Sequence, residues 1–356
     1  MGRLARRRPV LWVDSIGMRR PRLSRHDAAR IWRKAHAPAV RQPQRPGPVV
    51  ANVRLLPFHD RAGVRLVNRA IWHRAVRHWR RRLELDPEVL VLRLPTAVDL
   101  VDALRPDRVV YLCADDFQTL PTADWQIAEA YELDLLERAD VVVVPNARIA
   151  ALPRIAAARG EVVVLPHGVD FDAFATAGDP AVVHGTVGGL RSPVVGYLGQ
   201  VTTHTDLEIL GGIARIPDVT LLVVGETNVP TGDLGRAGDV RLTRRFVPRE
   251  DVPSFAAACE VLVMPYRPST GMDLAEPLKL REYLASGRPI VSTRFVAVAP
   301  YRNVIRIADD ADQFVAEVVD AIRCGPHAGA DARRAAVADQ TWDRRAEEFE
   351  DLIGLR

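Results

Sequence analysis

The stretch that decides the fold runs from residue 264 to residue 293. It reads Met264-Pro265-Tyr266-Arg267, then a loop from Pro268 to Ala275, then Glu276-Pro277-Leu278-Lys279-Leu280-Arg281-Glu282-Tyr283-Leu284-Ala285-Ser286-Gly287-Arg288-Pro289-Ile290-Val291-Ser292-Thr293. The pattern is strand, loop, helix, strand. The apolar run 261–266 has strand length and so does 289–293. Pro277 suits a first helical turn. Gly287 suits the left-handed cap that ends a helix. Such a unit sets a helix N-terminus beyond the carboxyl end of a strand, where free N–H groups and the helix dipole attract an anion such as a diphosphate. Lys279 falls in that first turn, a poor place for a cation unless an anion lies beside it. Glu282, five residues after Pro277, is within reach of sugar hydroxyls past the phosphates.

The same alternation extends in both directions. Apolar runs of strand length lie at 9–13, 49–56, 89–94, 109–113, 141–145 and 162–166, and again at 194–198, 220–224, 240–246, 261–266, 289–293 and 304–307. Several lack polar alternation, as strands buried on both faces of a parallel sheet do. Helical stretches lie between them, among them Trp125–Ala139, Asp206–Ala214, Val252–Cys259 and Pro277–Ser286. Strand–helix–strand repetition means an α/β fold with parallel sheets. A Gly/Pro/Ala-rich stretch at 175–193 separates two sets of six strands. The expected organisation is therefore two Rossmann-like domains, 1–180 and 181–335. A closing helix within 336–356 is expected to pack back toward the N-terminal domain.

Composition excludes several classes. The 356 residues are 48% hydrophobic and 26% charged, ordinary for a soluble globular protein. No apolar run approaches the roughly 18 residues of a spanning helix. The basic Arg3–Arg8 segment is followed by only five residues before Asp14, too few for a signal-peptide core. Cys113, Cys259 and Cys324 are odd in number and form no CxxC pair, which argues against a disulfide framework or a cysteine-built zinc site and fits a reducing cytoplasm. His184 and His204 have no partners at metal-ligand spacing.

Charge is unevenly spread. Residues 1–82 hold 22 Lys and Arg against three acids (Asp14, Asp27 and Asp60), a net of +19; the remainder is −15, which returns the overall +4. All but two of the 49 basic residues (Lys34 and Lys279) are arginine, the mark of a GC-rich genome. The segment Val64–Leu83 carries Arg65, Arg69, Arg74, Arg77, Arg80, Arg81 and Arg82, with Val64, Val67, Ile71, Ala75 and Trp79 at helical spacing. Trp72 and Trp79 read as interfacial aromatics. A basic amphipathic helix is expected to meet an anionic membrane surface; the plainer alternative is a core-packed helix with a solvated arginine face. A nucleic-acid-binding protein using the basic N-terminus is a competing reading. The sequence shows no helix-turn-helix, zinc finger or aromatic RNA-binding strand to support it.

Residues 264–293 resemble the nucleotide-sugar-binding region of GT-B glycosyltransferases of the group 1 or family 4 type. Glu282-Tyr283-Leu284-Ala285-Ser286-Gly287-Arg288-Pro289 matches the second half of that family's E-x7-E and EYLA-G-x-P pattern. The first glutamate would fall on Leu274 and is absent. Pro277-Leu278-Lys279 before Glu282-Tyr283-Leu284-Ala285 is similar to a branch of polysaccharide-assembly transferases that carries PLKxxEYLA. Val195-Gly196-Tyr197-Leu198-Gly199, Leu222-Val223-Val224-Gly225-Glu226, Val163-Val164-Leu165-Pro166-His167-Gly168-Val169-Asp170, Glu132 to Val144, and Tyr111-Leu112-Cys113-Ala114-Asp115-Asp116-Phe117 resemble further family stretches in the same order. The resemblance spans about 109 to 310.

It implies a GT-B fold, two Rossmann-like domains facing each other across a cleft. It implies a retaining, hexosyl-type transferase with a nucleotide-diphosphate sugar as donor and no metal or other cofactor in the active site. The acceptor it implies is a lipid-linked or polysaccharide glycan of bacterial exopolysaccharide or envelope synthesis. The enzyme would be cytoplasmic, peripheral on the inner face of the membrane. The helix at 277–286 would hold the diphosphate through Pro277, Leu278 and Lys279, and Glu282 would hold the ribose. Gly199, Gly17, Tyr266 and His167 are donor-binding candidates. Asp115 and Asp116 are candidates for the donor sugar or acceptor hydroxyl, and with Lys279 form the catalytic set. A non-catalytic GT-B scaffold is the alternative that the missing glutamate leaves open.

Overall fold

A computed structural model describes residues 2–14, 40–41, 47–59, 61–82, 84, 86–119, 125–232, 234–243, 246–325 and 328–355. The chain forms two compact units, residues 1–166 with 345–356, and residues 167–344. The expected boundary at 180 lies inside the second unit. The reason is local: the Val169 N–H donates to Gln340 O (2.9 Å), and Val169 O accepts from the Trp342 N–H (3.1 Å). Phe174 and Ala177 then enter the second unit's core.

The first unit begins with β1 (Leu11–Asp14), β2 (Val40–Arg41) and β3 (Val49–Asn52), a small sheet of order β1-β3-β2 in which β2 is antiparallel. Helix α1 (Ala62–Arg82) follows. Then come β4 (Val89–Leu92), α2 (Asp99–Leu104), β5 (Arg108–Leu112), α3 (Trp125–Arg138), β6 (Val141–Val144), α4 (Ala147–Ala150), α5 (Pro153–Ala156) and β7 (Glu161–Val164). β4 to β7 form an all-parallel sheet in sequence order. The four valines of β6 are buried, as β-branched residues of a doubly covered parallel strand should be. The chain's last residues return here: Ala346, Phe349 and Ile353 pack with Leu4, Val110, Val141 and Val143.

β1 and β4 are each the outer strand of their sheet. All the residues of both line a single cavity of about 810 Å³. Trp72 and Trp79 of α1 line it too, and are only 1% and 5% exposed. This corrects their reading as interfacial aromatics: both indoles belong to the core face of α1, together with Val76 and Asn68. Asn68 is accommodated because its side chain accepts from the Leu56 N–H (2.8 Å) and donates to Leu56 O (3.1 Å). Arg65 and Arg69 are drawn inward by Asp99, and Arg65 also by Asp134.

The second unit holds α6 (Phe171–Ala175), β8 (Val194–Leu198), α7 (Leu207–Ala214), β9 (Thr220–Val224), β10 (Asp239–Leu242), α8 (Val252–Ala257), β11 (Val261–Met264), α9 (Thr270–Leu274), α10 (Leu278–Ser286), β12 (Ile290–Thr293), β13 (Arg306–Ala308), α11 (Ala311–Arg323) and α12 (Ala330–Ala335); α13 (Trp342–Leu352) starts in it. Its sheet is parallel throughout, of order β10-β9-β8-β11-β12-β13. From β8 the chain moves outward to β10, then returns to β11 on the other side of β8. β8 and β11 therefore flank the topological switch point, where open α/β sheets leave a crevice beyond their carboxyl ends. One face of the sheet is covered by a cluster with Phe255, Leu280, Tyr283 and Leu284. Ile209, Leu210, Ile213, Phe314 and Val318 cover the other.

Two devices fix α10 over the switch point. The Tyr283 hydroxyl accepts from the Leu198 N–H (2.8 Å), tying α10 to the end of β8. At the other end Gly287 takes φ 72° as C-cap. Its carbonyl accepts from Nε (3.1 Å) and Nη2 (2.8 Å) of the buried Arg333.

Candidate functional site

At the switch point β8 and β9 are each followed by a glycine in a conformation that residues with a side chain rarely adopt. Gly199 has φ +143° and Gly225 has φ +138°. A Cβ on Gly225 would lie 2.5 Å from Gly199 O, and a Cβ on Gly199 would lie 2.6 Å from Lys279 Nζ. The two strand-end loops and the lysine ammonium are thus stacked with no room for a side chain between them. Lys279 Nζ lies 3.9 Å from the ring centroid of Tyr197 and 5.2 Å from that of Tyr266, a cation held over two ring faces. Burial works against its charge, but Tyr197, Tyr266 and Tyr283 around it outweigh that and raise its pKa. Tyr266 is fixed in turn: its N–H donates to Thr293 Oγ1 (3.0 Å), and its ring meets Phe295 edge-on at 5.6 Å.

Pro277 takes the N-cap position of α10 and Leu278 is the first helical residue. A proline caps the helix with no side-chain acceptor, so the N–H groups of the first turn are not claimed by a capping side chain. Lys279 is the second residue of that turn. Its ammonium, the start of α10 and the Gly199 backbone come together at the carboxyl end of β8.

A second cluster lies one turn further along α10. Glu282 is half-buried and pairs with Arg249 at 2.9 Å. Arg249 also lies 3.7 Å from Asp170 and over the Trp342 ring at 5.8 Å. His167 is 6.2 Å from the same indole. Burial raises the Glu282 pKa, while Arg249 and Lys279 pull it down. Arg249, Tyr197 and Asp170 were not anticipated as site residues. The one signal for Arg249 is its place in the loop after β10, at the same carboxyl edge of the sheet. Leu274, where the family pattern expects a glutamate, ends α9. The nearby Glu276 carboxylate is paired with the buried Arg281 (2.8 Å), whose Nε also donates to Gln340 (2.8 Å).

The first unit's candidates divide. Asp116 is 5% exposed; it pairs with Arg154 and accepts from the Gln118 N–H (3.1 Å). Arg154 is held from behind by Glu132 (2.9 Å). Glu132 is itself fully buried and accepts from the Tyr111 hydroxyl. Asp115 is exposed beside this network and lines the cavity of the first unit. Burial pushes the Cys113 thiol there up to about 12, so it stays protonated. Gly17 lies outside the described residues. Among the described residues no group of three His, Cys, Asp or Glu is placed to hold a metal ion, and no helix is long and apolar enough to cross a membrane.

Solved structures share this architecture along nearly the whole chain. Anabaena Alr3699/HepE, solved with UDP and glucose, superimposes with a TM-score of 0.66 at 15% identity, covering 96% of this chain and 98% of its own. Sucrose-phosphate synthase of Thermosynechococcus elongatus gives 0.65 at 14% identity, with 97% and 98% covered. The α,α-trehalose 6-phosphate synthase of Burkholderia multivorans gives 0.64 at 16% identity, with 98% of both covered. The chain has the GT-B fold, as the sequence pattern led one to expect. Residues 192–323, within the second unit, match the family model described as Glycosyl transferases group 1. A curated relative is the putative teichuronic acid biosynthesis glycosyltransferase TuaH of Bacillus subtilis, 26% identical over 257 residues. That alignment covers 67% of this chain and 64% of TuaH.

Proposed function

We propose that the protein is a retaining glycosyltransferase that moves a hexose from a nucleoside-diphosphate sugar to a lipid-linked or polysaccharide acceptor of bacterial envelope synthesis, with no metal in the active site. The observation that carries this reading is the meeting of Lys279 Nζ, the Gly199 backbone and the start of α10 at the switch point. A diphosphate leaving group gains negative charge as the sugar C1–O bond breaks. A compact ammonium and the first-turn N–H groups are suited to stabilise that charge without moving. Glu282 and Arg249 lie one turn on, where the ribose would reach. The neighbour with UDP and glucose supports a nucleotide-sugar donor, and TuaH supports an envelope polysaccharide as product. Of the two first-unit candidates Asp115 and Asp116, Asp115 is the exposed one and is the candidate for the acceptor hydroxyl.

Nucleotide binding tests the reading directly. Melting is followed with UDP, GDP, ADP, CDP or TDP, each with EDTA. The matching base at ~100 times its dissociation constant should stabilise the protein by about 2.7 kcal/mol. No shift with any base, together with no release of nucleoside diphosphate from the corresponding sugars, would sink the proposal. Because burial raises the Glu282 pKa, the carboxylate protonates at a higher pH than an ordinary glutamate. Affinity should accordingly begin to fall early on acidification, and the Glu282→Gln variant should lose that dependence.

Gly199→Ala is expected to weaken nucleotide binding at least tenfold. The added Cβ meets Lys279 Nζ at 2.6 Å and forces a residue with a side chain into φ +143°. Titration of the variant with the matching nucleotide reads the effect; wild-type affinity would mean that Lys279 does not sit where the diphosphate binds.

A further inference from the structure

Helix α1 spends its 21 residues without one acidic side chain and carries seven arginines and two histidines. Its inner face is settled: Asn68, Trp72, Val76 and Trp79 are buried. Arg65 and Arg69 reach Asp99, and Arg80 reaches Asp86 and Leu104 O. At 100° per residue the opposite face carries Leu66, Ala70, His73, Arg74, Arg77 and Arg81, flanked by Val67 and His78, all of them exposed. Arg74, Arg77, Arg81 and Arg82 have no acidic partner among the described residues. An ordinary solvated helix mixes both signs of charge on its outer face; this one does not.

The same face is apolar at its start. Leu66 is 66% exposed and Val67 48%. Beside them the segment before α1, pinned to Asn68 through Leu56, presents Leu56 at 42% and Phe58 at 39% exposure, with Arg61 over the Phe58 ring at 5.2 Å. Half of the exposed large hydrophobic side chains of the described residues are gathered in these twelve positions. Protruding Leu, Val and Phe tips beside a row of arginines match the boundary of a bilayer, where apolar tips enter the acyl region and guanidinium groups meet phosphates. Nucleic acid held through its phosphates would match the arginines but would leave the aliphatic tips in water.

We propose that the outer face of α1, with Leu56, Phe58, Leu66 and Val67 inserted and Arg74, Arg77 and Arg81 on headgroup phosphates, is the docking surface of this protein for an anionic lipid bilayer. The proposal deepens the reading of a lipid-linked acceptor and rests on it for its purpose, not for its geometry. It differs from the sequence expectation in the residues that enter the lipid: aliphatic tips and Phe58 rather than the two tryptophans.

Vesicle co-sedimentation tests it. The full-length chain is mixed with vesicles of phosphatidylcholine containing 30% phosphatidylglycerol, and with phosphatidylcholine alone. Binding is expected only to the anionic vesicles, falling steeply with salt. The variant R74E/R77E/R81E should lose at least tenfold in partition. L66N/V67N should lose severalfold at every salt concentration, while both variants keep the wild-type melting temperature. Equal partition of wild type and both variants would overturn the proposal. So would absence of vesicle binding by wild type, or retention of duplex DNA without binding to vesicles. The assay needs no donor, so the nucleotide-induced melting shift, measured on the same variants, fails or holds independently of it.

Discussion

Replacing Lys279 with alanine is expected to lower kcat/KM for release of nucleoside diphosphate from the sugar donor by about 10²- to 10³-fold, the loss seen when one donor aimed at developing charge is removed. The expected cost in stability is small. Among the described residues Lys279 makes no ion pair; its ammonium rests over the rings of Tyr197 and Tyr266, contacts that outweigh its burial and are worth about 0.5–2 kcal/mol. The melting temperature of Lys279→Ala should therefore fall only slightly, while the nucleotide-induced shift shrinks. A loss confined to kcat would mean that the ammonium acts only as the bond breaks. A loss shared with nucleotide affinity would mean that it holds the diphosphate in the ground state too. Unchanged turnover and unchanged affinity together would remove Lys279 from the site.

Arg154→Ala is expected to act on stability instead, by about 3–5 kcal/mol, the cost of stripping the partner from buried charge. Among the described residues Arg154 is the only cation paired with both Glu132 and Asp116. Those two carboxylates are 0% and 5% exposed. They belong to different elements, Glu132 to α3 and Asp116 to the loop after β5, so α5 joins both through this side chain. Urea denaturation would read the loss as a lower midpoint with an unchanged slope. Adding Glu132→Gln to Arg154→Ala should recover part of it, because the amide needs no counter-charge and can still accept from Tyr111. No recovery would place the cost in packing around the arginine stem.

Much of the fold was legible because its central strands are buried on both faces. A run such as Val141-Val142-Val143-Val144 has few other outcomes, and each apolar run marked in the sequence holds a strand. β2 escaped, being two residues in a Gln- and Pro-rich stretch, paired antiparallel to β3. In the second unit the helix start at Leu278 was legible from Pro277 and Gly287, which act through local backbone geometry. Arg249 was not, because it meets Glu282 from 33 residues upstream, and only the order of strands in the sheet brings them together. The α1 face was misread for a related reason. Helical spacing defines a stripe, but Asn68 lies on the buried stripe and Leu66 on the exposed one, and only the Leu56 backbone contact makes that arrangement acceptable.

The close approach of Lys279 to Gly199 also bears on the choice of cation. Of the 49 basic residues only Lys34 and Lys279 are lysine, so in this chain arginine stands at almost every place where either cation would serve. At most positions that choice is harmless, since the longer side chain simply extends into water. At 279 the tip of the side chain is bounded by a backbone that no Cβ could share and by the face of Tyr197. A spherical ammonium fits between them, whereas a planar guanidinium needs a slot of its own width. An arginine at this position thus meets a steric limit that the exposed arginines of the chain do not.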